Sequence, residues 1–203
     1  MSDAKQVLLL RDLTNKNSMS TQEALELCDA LPIVDIDTII GRWRGTEIST
    51  HHPLNGLLET LGWYGKEFID CDHVHPLLFS DRHGHLFSLD PKRLPVNLVL
   101  KGPIPRSKLL RQALLAARFV LQTREAKARV RMVEYRGKVS ATMIYDNLPI
   151  YDTFRLIDHD NLLGVMDFKG VEQPFFFKLR REWSPTSSAS HVKFAIQRKK
   201  ERG

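Results

Sequence analysis

Two groups of residues in this chain have the types and spacing that metal or acid–base chemistry would use. The first is a histidine-rich window, Asp70-Cys-Asp-His-Val-His75, followed by His83-Gly-His85. Two His-x-His pairs across a hairpin would bring imidazoles to one face, where Asp70, Cys71 or Asp72 could complete a zinc shell. No His-Glu-x-x-His spacing accompanies them and His83 falls in a turn, so surface histidines are the plainer reading and no metal ligands are assigned. The second group is a series of carboxylates: Asp146, Asp152, Asp158, Asp160 and Asp167. Asp146 and Asp158 suit turns. Asp152 and Asp167 sit inside apolar stretches, where a carboxylate needs a partner or a ligand. A pocket acid or base built from Asp152 with Tyr145 or Tyr64 would move a proton on a bound apolar substrate. Desolvation would raise such a carboxyl's proton affinity into a useful range. A structural salt bridge from Asp152 to Arg155 or Arg180 is the competing reading, and the more ordinary one.

Aromatic residues make up the rest of the candidate site. Trp43, Trp63, Tyr64, Phe154 and Phe168, with His51 at the end of the first strand, form the set expected around a ligand. His51 or His52 could also ligate haem, although no Cys-x-x-Cys-His attachment is present. Haem and zinc are minor alternatives, and no cofactor is expected. The run Phe175-Phe-Phe177 must point its middle ring away from the other two in a strand, so one face should expose aromatic surface. There is no Gly-x-Gly-x-x-Gly, Walker loop, Gly-x-Ser-x-Gly elbow or kinase signature, which disfavours nucleotide cofactors and serine hydrolysis.

The elements that must position these residues are mostly strands. In Gly41-Arg-Trp-Arg-Gly45, alternation sends Trp43 to one face and Arg42 and Arg44 to the other. The flanking glycines leave room for backbone or a large ring. Ser20-Thr-Gln-Glu23 is a capping box that starts a short helix ending before Pro32. Leu54, Leu57, Leu58 and Leu61 give helical spacing over Pro53 to Leu61, which Gly62-Trp-Tyr-Gly65 ends. A hairpin follows, Pro76 to Ser80 and His85 to Leu89. After a passage punctuated by Pro91, Pro95, Pro103 and Pro105, Ser107 caps a helix from Lys108 to Leu121 with Leu110, Leu114, Ala117 and Leu121 on one face. The last third reads as a meander: Ala128 to Tyr135, Val139 to Tyr145, Ile150 to Ile157, Leu162 to Phe168 and Phe175 to Leu179. Sequential hairpins that close on themselves avoid exposed edges. The expected fold is therefore mainly β (α+β), an antiparallel barrel or half-barrel with a few short helices. Residues 19–183 should form one domain between a weakly held arm, 1–18, and a basic tail, 184–203.

A chain of 203 residues with 42% hydrophobic and 27% charged residues can bury a sizeable core or enclose a cavity. The net charge of +6 invites a nucleic-acid reading. Its distribution weakens that reading, because Arg198, Lys199, Lys200 and Arg202 crowd the C-terminus and the cluster from Arg118 to Arg131 falls on wet faces. Two cysteines, Cys28 and Cys71, make no disulfide framework. With no signal-like segment and no apolar run near the ~20 residues of a membrane helix, a cytoplasmic protein is expected.

Gly41-Arg-Trp-Arg-Gly45 followed by Leu61-Gly-Trp-Tyr-Gly-Lys66 resembles the GXWXG family, named for the first motif. Val133-Glu-Tyr-Arg-Gly137, Met143-Ile-Tyr-Asp-Asn-Leu-Pro-Ile150 and Gly164-Val-Met-Asp167 are similar to the domain of unknown function that usually follows it. The likeness covers roughly residues 20–182, with the GXWXG segment at 41–66 and the C-terminal meander at 128–181, and carries no established activity. At the level of fold, a Gly-x-Trp strand before helices and a meander resembles the calycins: lipocalins, fatty-acid-binding proteins and nitrobindin-type barrels. That resemblance implies a small apolar ligand and no particular chemistry. The expectation is a protein that binds a small hydrophobic or aromatic molecule in a barrel cavity. The alternative is a cofactor-free isomerase, cyclase or lyase in the same cavity, and a basic nucleic-acid module is a weaker third.

Overall fold

The computed structural model describes residues 18–95 and 106–182. The N-terminal arm up to 17, Pro103 and Pro105, and the basic tail lie outside the described residues. Ten strands form one antiparallel sheet: β1 (Gly41–Ile48), β2 (Trp63–Phe68), β3 (Val74–Ser80), β4 (Leu86–Leu89), β5 (Gln122–Thr123), β6 (Ala128–Tyr135), β7 (Lys138–Tyr145), β8 (Ile150–Asp158), β9 (Asn161–Phe168) and β10 (Phe175–Arg181). Their order is β2-β1-β10-β9-β8-β7-β6-β3-β4-β5, and β2 also pairs with β3. Eight strands therefore close a ring, while β4 and β5 branch from the upper half of β3. Closure at β3–β6 is short: Val74 pairs with Ala128, supported by Lys127 N–H to the Val74 carbonyl at 3.0 Å and Val130 N–H to the Cys71 carbonyl at 2.9 Å.

The meander follows its turn chemistry. Arg136 and Gly137 both take positive φ between the paired residues Tyr135 and Lys138, which is the two-residue turn that matches strand twist. The GXWXG half is less regular. Helix α1 (Thr21–Ala30) carries the full capping box, with Glu23 N–H donating to Ser20 Oγ at 3.1 Å and Ser20 N–H donating to Glu23 Oε2 at 2.7 Å. Asp35 caps a single helical turn, α2 (Ile36–Ile39), before β1. Residues 53–56 are turns, so the helix expected from Pro53 shortens to α3 (Leu57–Leu61). Helix α4 (Lys108–Leu121) has the bounds its periodicity predicts, with Ser107 as cap.

The sheet separates two apolar cores. Inside the ring lie Trp43, Phe68, Phe79, Phe154, Phe175 and Phe177 among others. Outside it, α1 lays Ala24, Leu27 and Cys28 over Ile48, Leu163, Val165 and Phe176. Phe176 is fully buried there, so the aromatic face expected to be exposed is covered by α1. Burying a side chain of that size contributes about 1.5–3 kcal/mol. Arg136 fastens the end of this helix through a bidentate pair to Asp29 at 2.7 and 2.6 Å. No helix among the described residues is long and apolar enough to cross a membrane.

Candidate functional site

The inner face of the ring does not fill completely. A cavity of about 360 Å³ remains, lined by β2, β3, β7, β8 and β10 and completed by α3, α4 and the Leu94–Pro95 segment. Leu110, Ala113, Leu114, Ala117 and Leu121 present the apolar stripe of α4 to it. Helix α3 is held in place from β1. The buried Glu47 carboxylate accepts the backbone N–H of Gly56, just before the helix, and that of Glu59 at 3.0 Å. Burial raises the Glu47 pKa, and these amides pull part of the shift back.

Among the described residues, four bring polar side-chain atoms to the otherwise greasy lining: Trp63, Lys66, Tyr145 and Asp152. Lys66 points inward because of an irregularity in β2. Strict alternation from Trp63 would send Lys66 outward. The β2–β3 register shifts on both sides of Gly65, a bulge that returns Lys66 to the same face as Trp63. Gly65 sits at φ +149, and a Cβ there would lie 2.0 Å from the Trp43 carbonyl oxygen, so no larger residue fits the bulge. Gly45 makes room for the Trp63 indole, since its Cβ would fall 2.2 Å from that ring.

Lys66 Nζ lies 2.7 Å from Asp152 Oδ2, with side chains 3% and 1% exposed, and donates to the Pro76 carbonyl at 3.1 Å. The rings of Phe177, Trp63 and Tyr145 stand 5.0, 5.7 and 5.8 Å from the ammonium. Such contacts favour a desolvated cation. Asp152 Oδ1 and Trp63 Nε1 are buried with no hydrogen-bond partner among the described residues. Burial raises the Asp152 pKa, and the Lys66 charge and hydrogen bond offset part of that rise. Burial first, and then the Asp152 charge, hold the Tyr145 phenol well above its ordinary value. The result is an electroneutral ion pair with a spare carboxylate oxygen in an apolar chamber.

The residues expected from sequence divide clearly. Asp152, Tyr145 and Trp63 line the cavity. The partner of Asp152 is Lys66 rather than Arg155 or Arg180, because Arg155 points to the other side of the sheet, where it donates to the Tyr135 carbonyl at 2.7 Å. Trp43 belongs to the inner core but does not line the chamber; it donates its indole N–H to the Ile39 carbonyl at 2.7 Å and lies against the Arg181 guanidinium. Phe154 is solid core against Phe68 and Phe177, and Phe168 is core as well; neither lines the cavity. Tyr64 points to the opposite face, where it bonds Glu182 and stacks with Arg44. Burial and that carboxylate push its pKa up to about 12. His51 is exposed at φ +62. Its neighbour His52 is the buried one, accepting Leu54 N–H at 3.1 Å, with desolvation lowering its pKa to about 4. Neither histidine lines the chamber. Asp167, expected in an apolar strand, faces solvent.

The histidine window disperses into local pairs. His73 Nδ1 meets Asp70 at 2.9 Å and His85 Nδ1 meets Asp81 at 3.3 Å. Among the described residues no three His, Cys, Asp or Glu side chains converge in a way that could hold a metal ion. Lys66 is the site residue that sequence reasoning missed. It stood in the quoted motif, but only the bulge reveals its direction.

Comparison with known proteins agrees with this division of the chain. No curated protein matches the sequence. A crystal structure of a protein from Thermomonospora curvata is 33% identical, with a TM-score of 0.64, covering 90% of this chain and 100% of that one. Residues 26–84 match the family described as GXWXG protein, and residues 126–181 match the domain of unknown function DUF4334. Trp63 and Lys66 come from the first segment, Tyr145 and Asp152 from the second. With Gly41, Trp43 and Gly45 in its first strand and that domain in its meander, the chain belongs to the GXWXG family.

Proposed function

We propose that this protein binds a small, mostly apolar, electrically neutral molecule inside the ring. The observation that carries the reading is the chamber of about 360 Å³, lined by leucine, phenylalanine and methionine around one buried Lys66–Asp152 pair. Concave apolar sites of about 300–1,000 Å³ with a few converging polar groups are the usual form of small-molecule sites. Net neutrality of the pair argues against anionic ligands such as fatty carboxylates, which would add an uncompensated charge in a dry site. N-phenylnaphthylamine, neutral and fluorescent in apolar surroundings, is the direct probe. Its emission should rise on binding, fall when decanol displaces it, and weaken at least tenfold in affinity in Leu114→Trp, which fills the chamber. No rise with folded protein, or a rise indifferent to both decanol and Leu114→Trp, would refute the reading.

The acid–base alternative is supported by the unpartnered Oδ1 of Asp152 and its raised proton affinity. In that reading Asp152 carries the proton and Lys66 and Tyr145 are its companions, while Tyr64 is separated from them by the sheet.

A further inference from the structure

A hydrogen-bonding side chain would suffice to orient a neutral guest, yet this chamber contains a primary amine. Lys66 Nζ is held 2.7 Å from a carboxylate that keeps a second oxygen unpartnered, among three aromatic rings and with almost no exposure. A lysine placed in an apolar pocket next to a proton acceptor is the arrangement in which an amine acts as a nucleophile toward carbonyl carbon. We propose that Lys66 captures an apolar aldehyde or ketone as a Schiff base, with Asp152 as proton carrier and counter-ion. This rests on the binding reading above and names the chemical class of the ligand.

The steps balance without any further reagent. Asp152 takes one proton from the Lys66 ammonium across the 2.7 Å contact, leaving a neutral amine beside a neutral acid. The nitrogen lone pair forms a bond to the carbonyl carbon while the C=O π electrons move to oxygen, which receives the proton from Asp152. Asp152 then accepts a proton from the new N–H₂⁺ centre, giving the neutral carbinolamine. It returns that proton to the hydroxyl, the C–O bond breaks, water leaves, and the nitrogen lone pair closes the C=N⁺–H bond. The sum is ammonium plus carbonyl going to iminium plus water, with Asp152 anionic before and after. The site's charge is the same at both ends, so the iminium inherits the counter-ion that the ammonium had. The apolar lining disfavours the water that would reverse the reaction.

Reductive trapping tests this on the full-length protein. Decanal followed by cyanoborohydride near neutral pH should place one decyl group on Lys66, located by peptide mapping. Its initial rate should be at least tenfold faster than alkylation of the exposed Lys92 and Lys169, which serve as internal references. Decanol should slow labelling at Lys66 and leave the reference lysines unchanged. Asp152→Asn should slow Lys66 at least tenfold with the same references unaffected, and if that variant does not fold, the wild-type selectivity and decanol protection decide. If decanal displaces N-phenylnaphthylamine but labels Lys66 no faster than Lys92 and Lys169, the Schiff-base inference fails and the binding reading survives. If neither decanal nor decanol displaces the dye, the binding reading fails with it.

Discussion

Among the described residues two lysine or arginine side chains are buried, one on each side of the same sheet. Lys66 faces inward, Arg155 outward, and both are almost entirely removed from water. Arg155 is fully buried, with its Nε unpartnered among the described residues. It donates to the Tyr135 carbonyl at 2.7 Å and the Phe154 carbonyl at 3.4 Å, and its strand is bridged to the segment after α1 at Ile33. Lys66 sits against a void, its carboxylate partner half satisfied. The contrast separates two uses of a buried charge. On the outer face the guanidinium fork joins backbone carbonyls of β6 and β8. On the inner face the ammonium leaves space and an idle acceptor beside it, which is how a binding site differs from a structural one.

Substitutions can break this comparison. The largest effect should come from Arg155→Ala, which takes the guanidinium donor from the Tyr135 carbonyl and removes a large, fully buried side chain. Urea unfolding should show a loss of about 3–5 kcal/mol, with dye affinity of the folded fraction unchanged. A loss of affinity equal to that in Leu114→Trp would mean the two sides are not independent.

Next is Lys66→Met, which strands Asp152 and should cost about 3 kcal/mol around pH 8. The sign of its pH dependence follows from the carboxyl. Burial already raises the folded pKa of Asp152 above its ordinary 3.8. The folded state therefore holds the proton more tightly, and stability falls as pH rises from the unfolded value through the folded one. Without the cation the folded pKa climbs further, so the deficit should shrink as pH drops toward about 4. The double variant Lys66→Met/Asp152→Leu should return to within about 1 kcal/mol of the parent at all pH values. A deficit independent of pH would show that Asp152 is not the group left unpaired.

The smallest effect concerns Cys28, which lies in the outer core near Arg155 and whose thiol is pushed up by burial. Iodoacetamide should alkylate the exposed Cys71 in the native protein and reach Cys28 only after unfolding. Equal labelling of both in the native state would show that α1 does not seal that face.

Much of this was legible in the sequence, and the misses have identifiable causes. The meander, the capping box and α4 were readable because each depends on local turn, cap or periodicity rules that tertiary contacts here reinforce. Asp152 was legible as a charge in an apolar strand. Its partner was not, because Lys66 lies past a bulge and a period-2 reading puts it on the wet face. Trp43 shows a different limit. Alternation gives the direction of a side chain, yet whether it lines the chamber is set by which neighbours fill the space, here Ile39 and Arg181. The buried Phe176 shows a third, since which helix covers the outside of a sheet is a long-range contact. Asp167 was readable after all, because its neighbours Met166 and Phe168 pack against the inner core, leaving it the outward position.

The amine and its counter-charge are inherited from separate family segments, residues 26–84 and 126–181. Exchanging either segment with a relative that lacks the matching member would leave a lone ion in grease, which the fold tolerates poorly. The two halves are thus addressed to each other by a single unit of charge, and a hybrid should be viable only when both ends of that address arrive together.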